Sequence, residues 1–488
     1  MRVLHVVSGF RPYVTNGLIT YAEDLMSEQV RSGHAVSSFL PGRHFPLLRG
    51  PRLYRRRSGG VRVYEYVNFA AIAGGLRGIS DPDRSLADPA VEDVFGRAVV
   101  EARPDVVHVH DLAGLPSSLL DDLRSRGVPV VMTLHDYLPL CPTVRLYDAH
   151  GQVCMRTEPG PMCTVCCRDA PLDNSQARLS TMDFEGQRAR RVVPGLARVL
   201  EAPATGRAVA ALGRRLAAPA QHDPSASAAP VAEQQASSHA ADPAAYQRRR
   251  DVNLERLARV DALLAPSRRV RDIYATLGVP REHLRVLPVA AAHVQALKPR
   301  RIVPPDRVTF ATLTAMSSRD KGAHVVLGAL NWLADRGYGD RFNLVVAGGV
   351  PVEDLPALGR HPAVSLAGKY RTGQLDALLD EVHVGIVPSV WEETFGFIGV
   401  EFLAKGIPVI GNAMGGITDY VRDGETGWLN RSSSAEELAA IMARIIERPG
   451  QVAEANARVL ELRAELVQAM PDHASRVHAV YAELTDGA

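Results

Sequence analysis

The chain has 488 residues, 46% of them hydrophobic and 23% charged, with a net charge of +2. That is an ordinary globular composition with room for two or three domains. It gives no global pull toward nucleic acid, and no apolar run approaches the ~20 residues of a membrane span. The opening MRVLHVVSGF has too short an apolar core for a signal peptide and reads as a strand, so a cytoplasmic location is expected.

In chain order, Arg2–Ser8 is a strand and is followed by a loop holding Pro12 and Asn16-Gly17. A helix follows, with apolar residues at Leu18, Ala22, Leu25, Met26 and Val30. Gly33 stops it and His34–Leu40 returns as a strand, giving one βαβ unit whose loop lies at the carboxyl end of the first strand. Residues 43–58 carry Arg43, Arg49, Arg52, Arg55, Arg56 and Arg57. They read as a solvated basic loop; the alternative is an acceptor or membrane-surface patch, because clustered arginine attracts anionic headgroups. Gly60–Val67 alternates as a strand. Pro104–Asp111 and Val128–Tyr137 are buried-type strands, the second closing on His135 and Asp136. A lone strand-end histidine is more often structural, and His108 and His110 read as packing or crevice-lining groups.

All five cysteines, Cys141, Cys154, Cys163, Cys166 and Cys167, fall within 27 residues. In a cytosolic enzyme such clustering favours a metal over disulfides. The spacing C-x12-C-x8-C-x2-C suits a closed tetrahedral zinc site of Cys141, Cys154, Cys163 and Cys166. The Gly/Pro-rich residues between them cannot build a core alone, so a metal would staple them. An iron–sulfur cluster and unmetallated thiols remain as alternatives, and no catalytic role is expected.

Residues 183–200 are basic and read as helical. From Glu201 to Ala245 the chain turns to Ala, Pro, Ser and Gln, the composition of a flexible insertion. A helix and the short strand around Leu263-Leu264 restore order, then a helix over 267–280 and a strand over 283–290, with a hinge expected at 291–305. Arg307–Thr314 starts a second α/β unit. Arg319 and Lys321 stand at the turn into its first helix, where cations oppose the dipole unless an anion joins them. A diphosphate clamp would account for them; a solvated turn is the bland alternative. Strands follow at 342–349 and 363–368, and helices fill 433–486.

The most informative stretch is 388–429. A strand ends at Pro388, a helix starts near Gly396, a strand over 408–413 follows, and Gly415-Gly416 open another helix. Two helix N-termini therefore aim at one crevice of a parallel sheet, where an anion is favoured. Glu393 and Glu401 are spaced Glu-x7-Glu. Eight helical residues rise roughly 12 Å, wider than the about 5–9.5 Å of a glycoside hydrolase pair. One acid at each end of an extended ligand such as a sugar nucleotide fits that spacing; two solvated helix acids are the alternative for the bare spacing.

The order PSxxEETFGFxxxEFLAKGxPVIG followed by GGxxDxVxDGxTGWL resembles the donor-binding end of retaining glycosyltransferases of family 4, which have the GT-B fold. The resemblance implies that Glu393 contacts the donor sugar and Glu401 the ribose hydroxyls, with backbone amides of Gly396, Phe397 and Ile398 near the phosphates. It places Asn16-Gly17 where the family has a Gly-rich loop, His135 facing the reacting sugar, Lys321 on the diphosphate, and Gly368, Lys369 and Tyr370 beside the base. Departures are Asp419 for the usual Glu, Met316 for an Arg, which leaves Arg319 as the substitute, and Val289, Ala290 and Ala291 where the family has Asn-Gly-Val-Asp after Pro288. Some family members have a similar cysteine-bearing insertion.

The resulting expectation is an α/β protein of GT-B architecture, two Rossmann-like domains facing a central cleft. The expected layout is an N-terminal acceptor-side domain over 1–200, with the Cys-rich insertion at 141–167, and a flexible insertion at 201–245. The first domain returns over 246–292, a nucleotide-sugar domain spans 300–465, and a helix at 466–488 crosses back. The implied activity is retaining hexosyl transfer from a nucleotide sugar to an acceptor hydroxyl in polysaccharide, glycolipid or glycosylated-metabolite biosynthesis. His135 and Glu393 are the expected catalytic residues, and no catalytic metal is expected. A sugar, lipid-linked or small-molecule acceptor is implied, with no nucleic acid and with peripheral contact at the inner face of a membrane. A catalytically silent sugar-nucleotide or glycan binder is the alternative. A double-Rossmann oxidoreductase is disfavoured because no GxGxxG turn follows the first strand.

Overall fold

A computed structural model of the chain describes residues 1–11, 13–14, 16–43, 51–68, 77–171, 242–313 and 315–486. The helix expected over 183–200 and the insertion up to 241 lie outside the described residues. The Asp242 carboxylate caps the Pro243–Leu257 helix through Ala244 N at 3.1 Å, so the insertion's expected end at 245 falls inside a helix.

The first sheet is built from β1 (Arg2–Val6), β2 (Ala35–Pro41), β3 (Arg52–Ser58), β4 (Val61–Val67), β5 (Val106–Val109), β6 (Val130–Thr133), β7 (Ala262–Ala265) and β8 (Leu284–Val286). Their order is β3-β4-β2-β1-β5-β6-β7-β8. The pairings are parallel except β3 with β4. β3 corrects the basic-loop expectation. Its alternating side chains pair in register with β4, and arginines on an edge strand discourage further pairing. Arg43 and Arg56 turn inward to the buried Glu65 at 2.7 and 3.2 Å, and Arg55 pairs with Glu101. Much of the basic cluster is thus engaged within the protein. Arg49 lies outside the described residues.

The second sheet contains β9 (Val308–Leu313), β10 (Phe342–Ala347), β11 (Val364–Gly368), β12 (Val384–Val387), β13 (Val409–Asn412) and β14 (Gly427–Asn430) in the order β11-β10-β9-β12-β13-β14, all parallel. Buried parallel strands need apolar side chains on both faces, which is why VGIV and ALLA read as unbroken apolar runs. Each sheet has a switch point between parallel strands, between β1 and β5 and between β9 and β12. Doubly wound sheets bind ligands at those switch points, outside the carboxyl ends of the strands.

The two switch points meet. The Gly17–Arg31 helix follows β1 and the Phe397–Ala404 helix follows β12; a Cβ on Gly17 would lie 3.4 Å from the Phe397 ring. Thr394 Oγ1 donates to the His135 carbonyl at 2.8 Å. The Met470–Thr485 helix leaves the second lobe and lies on the first, where Tyr21 Oη meets His473 Nε2 at 2.8 Å and Arg285 pairs with Glu483 at 2.5 Å. Ile19, Val289, Phe402 and Val477 belong to one buried apolar cluster that spans both lobes. Among the described residues, no helix is long and apolar enough to cross a membrane.

Candidate active site

The second lobe supplies the acids. Gly396 takes φ +80° to turn the loop after β12 into the Phe397–Ala404 helix, and a Cβ there would sit 2.9 Å from Tyr420 Oη. Just before it, buried Glu393 accepts from Ser389 Oγ at 2.8 Å and from Lys321 Nζ at 2.5 Å. Gly415 and Gly416 pack on the Glu393 backbone: Gly416 N donates to Glu393 O at 2.7 Å, and a Cβ on Gly415 would fall 1.9 Å from that oxygen. The glycine pair is therefore needed for close approach. Lys321 also stands 5.0 Å over the Trp391 ring. Arg319, the expected substitute for a missing cation, is exposed, and Met316 is wholly buried in the core.

Glu401 lies further along the same helix. Its Oε1 meets His293 Nε2 at 2.7 Å, while its buried Oε2 has no partner among the described residues. Such atoms are rare because leaving them unpaired is costly. Burial, then the Glu401 charge, push the Tyr370 phenol well up. Tyr370 follows Gly368 (φ +69°) and Lys369, both exposed at the rim, and Gly348 N donates to Gly368 O at 2.8 Å. The structure thus gathers Glu401, Tyr370 and the Gly368 turn, and adds His293. That histidine was hidden in the expected hinge; its signal was a lone polar ring in an apolar run. The departure after Pro288 is also explained, since Val289, Ala290 and Ala291 pack into the core.

In the first lobe, Asn16 does not present its side chain to the crevice: its Oδ1 caps the helix through Ile19 N at 2.9 Å. Gly17 lies in the seam against Phe397. His135 ends a hydrogen-bonded chain. Gln29 gives its amide to Tyr481 Oη at 3.4 Å, so its carbonyl oxygen accepts from His5 Nε2 at 2.7 Å. His5 Nδ1 is then bare and accepts from His110 Nε2 at 2.8 Å, and His110 Nδ1 accepts from His135 Nε2 at 3.3 Å. The network places the His135 proton on Nε2 and leaves Nδ1 as an acceptor. Burial keeps these rings neutral, lowering His135 to about 3, His5 to about 4 and His110 well below the usual range. His108 bonds Tyr481 Oη at 2.6 Å and Thr133 Oγ1 at 2.7 Å. Nitrogens of His5, His108 and His110 lie within 4.8 Å of one another, but every one is already hydrogen-bonded, which reads as a network rather than a metal centre. Sequence spacing could not reveal this chain, because its members come from four separate elements or their ends.

Two acids tie the lobes. Glu392 pairs with Arg269 and accepts from Gly415 N at 2.8 Å, and Asp419 accepts from Arg268 N at 2.8 Å. Arginines opening a helix were the legible hint, since cations there need an acid to offset the dipole.

The five thiols gather around the Gly160–Cys166 helix, with Cys163 feeling the other four. Among the described residues, no three of their sulfurs come within 4.8 Å of one another, so the tetrahedron expected for Cys141, Cys154, Cys163 and Cys166 is not drawn up. Cys166 is half-exposed, whereas Cys167, omitted from that set, is buried.

Two family models match, one to each lobe: "Glycosyl transferase 4-like domain" over residues 16–192 and "Glycosyl transferases group 1" over 307–448. The chain belongs to this glycosyl transferase family. It is 29% identical over 207 residues to D-inositol 3-phosphate glycosyltransferase of Nocardiopsis dassonvillei, 42% of each chain. It is 26% identical over 188 residues to the putative colanic acid biosynthesis glycosyltransferase WcaL of Escherichia coli, 36% of this chain and 46% of that one. The matches thus span less than half the length of these curated relatives. HepE of Anabaena, solved with UDP and glucose, superposes with TM-score 0.56 at 13% identity over 99% of both chains. Sucrose-phosphate synthase of Thermosynechococcus elongatus gives TM-score 0.61 at 16% identity over 100% of this chain and 99% of that one. The fold is GT-B.

Proposed function

We propose that this chain transfers a sugar from a nucleotide-sugar donor to an acceptor hydroxyl, with retention at the anomeric carbon. The observation that carries this is the buried, unpartnered Oε2 of Glu401, on the helix whose start adjoins the Lys321–Glu393 pair. Ribose hydroxyls would supply the donors that Oε2 lacks, with the base toward Tyr370 and the Gly368 turn. The diphosphate would lie at the N-terminus of the Phe397–Ala404 helix, where backbone N–H groups and dipole favour an anion. There it would compete with Glu393 for Lys321. Lys321 and those amides would offset the charge that develops as the diphosphate leaves.

Glu393, released from Lys321, would accept hydroxyls of the donor sugar. His135 Nδ1, bare by its tautomer, would accept another. No side chain would act as a covalent nucleophile; the acceptor would attack from the face that the diphosphate leaves, and the departing diphosphate would take up the acceptor proton. Lobe closure at the Thr394–His135 seam would exclude water. Solved neighbours with UDP-glucose and with glucose-6-phosphate support a nucleotide-sugar donor and a sugar-type acceptor. A lipid-linked or other small-molecule hydroxyl would meet the same requirement.

The test is incubation with a panel of nucleotide sugars and acceptors. Nucleoside diphosphate release is read by chromatography and the product anomer by NMR. Release with a retained anomer is expected. Tight donor binding with no release or transfer would favour the catalytically silent reading, to which the buried Met316 and the core-packed Val289–Ala291 lend weight.

A further inference from the structure

Another ion pair crosses between the lobes. Arg145 Nη1 of the first lobe meets Asp320 Oδ1 of the second at 3.0 Å, with the side chains 20% and 8% exposed. Asp320 directly precedes Lys321 in the turn that opens the Ala323–Asp335 helix. Its carbonyl accepts from Val390 N at 3.0 Å, which ties that turn to the loop carrying Glu393. Arg145 belongs to the cysteine-bearing segment, and the backbone that presents it is strained on both sides. Val144 has φ +64° and Leu146 φ +51°, the left-handed region that β-branched and bulky side chains avoid. Neighbours hold it there. Tyr137 N donates to Val144 O at 3.0 Å, Val144 N to Cys141 O at 3.0 Å, and Cys154 N to Leu146 O at 2.6 Å. Leu146 is wholly buried in the apolar cluster that also takes in Trp391 of the second lobe, the ring beneath Lys321. Strain of this kind persists where surrounding structure over-determines it, typically at ligand clamps. Here it aims one guanidinium at the turn that carries Lys321.

We propose that Arg145 is a second cation for the donor diphosphate, supplied by the first lobe, with Asp320 as its resting partner. The inference rests on the nucleotide-sugar reading above. On that reading the diphosphate lies by Lys321, which is shared with Glu393, while Met316 is apolar and buried and Arg319 is exposed. One shared cation leaves the diphosphate charge underbalanced. A guanidinium meets the paired oxygens of a carboxylate and of a phosphate with the same fork of donors, so the diphosphate would take the place of Asp320. Arg145 stands on the Lys321–Glu393 side of the site, the side of the donor sugar. It therefore serves the sugar-linked phosphate, whose charge grows as the sugar departs. The contact needs the two lobes together, so donor charge and lobe closure reinforce each other. The cysteine-bearing segment thereby gains a task, since its turns hold Arg145 in place.

The test is titration calorimetry of the full chain with UDP and GDP, and with UMP and GMP, which lack the sugar-linked phosphate. Arg145→Met should weaken the diphosphates about 10–100-fold, the scale of a lost charge-assisted bond, and leave the monophosphates nearly unchanged. Arg145→Lys should recover part of the loss. Asp320→Asn releases Arg145 from its resting partner and should bind diphosphates at least as tightly as the unsubstituted chain. An ion pair that only ties the lobes gives a different pattern: Arg145→Met and Asp320→Asn would weaken all four nucleotides alike, and that result overturns the proposal. Unchanged diphosphate affinity in Arg145→Met overturns it too. The unsubstituted chain tests the underlying reading separately. No diphosphate binding there sinks both, whereas binding indifferent to Arg145 sinks this inference alone. If Arg145→Met fails to fold, Arg145→Lys and Asp320→Asn carry the comparison.

Discussion

The two lobes build their parts of the site by opposite means. In the second lobe Glu393, the Phe397–Ala404 helix start and Glu401 come from one unbroken stretch, set by a strand end, a left-handed glycine and a helix. In the first lobe a single ring, His135, is oriented through His110, His5 and Gln29, drawn from just past β5, from β1 and from the Gly17–Arg31 helix, and locked by Tyr481 of the crossing helix. A local site tolerates tertiary adjustment; a relayed one depends on it.

Acid should separate the lobes most. Unfolded histidines take up a proton below about 6.5. His5, His473 and His478 do so in the folded chain only at about 4, and His135 at about 3. Between those values the unfolded chain binds more protons, so stability is full above about 6.5 and falls as the pH drops toward 4. In the second lobe burial lowers His324, His361 and His383 too, but less far. Hydrogen exchange at pH 5 should therefore show the first lobe and the crossing helix opening first. Uniform opening would sink the contrast.

Within the sites, Glu393→Ala should cost about 10²–10³ in kcat, the scale of a lost transition-state contact. Wild-type turnover would remove Glu393 from the chemistry. Lys321→Ala should weaken nucleoside diphosphate binding by roughly 10–100-fold, matching about 1.5–3 kcal/mol for a charge-assisted bond; calorimetry with UDP and GDP decides it. Gln29→Leu should lower kcat by about tenfold with little change in KM, since it misorients His135 without touching donor. Its signature is a shift in the His135 ring nitrogen resonances, which a purely structural role would not produce. Smallest is Arg269→Ala, about 1 kcal/mol because its side chain is 44% exposed, read as a lower melting temperature.

Residue order alone determined the α/β class, the two doubly wound units and the place of Glu393, Glu401, Lys321 and the Gly396 helix start. Each depends on neighbours a few residues apart, which periodicity and spacing expose. The tertiary structure decided the rest. It made a strand of Arg52–Ser58, spent Asn16 on a helix cap, and brought His293 to Glu401. It chose the tautomer of His135 and set Arg249 and Arg250 on the distant carbonyls of Leu138, Pro139 and Leu140. Those contacts are between groups with no local pattern to announce them. What brings them together is the cost of leaving a buried polar or charged atom without a partner.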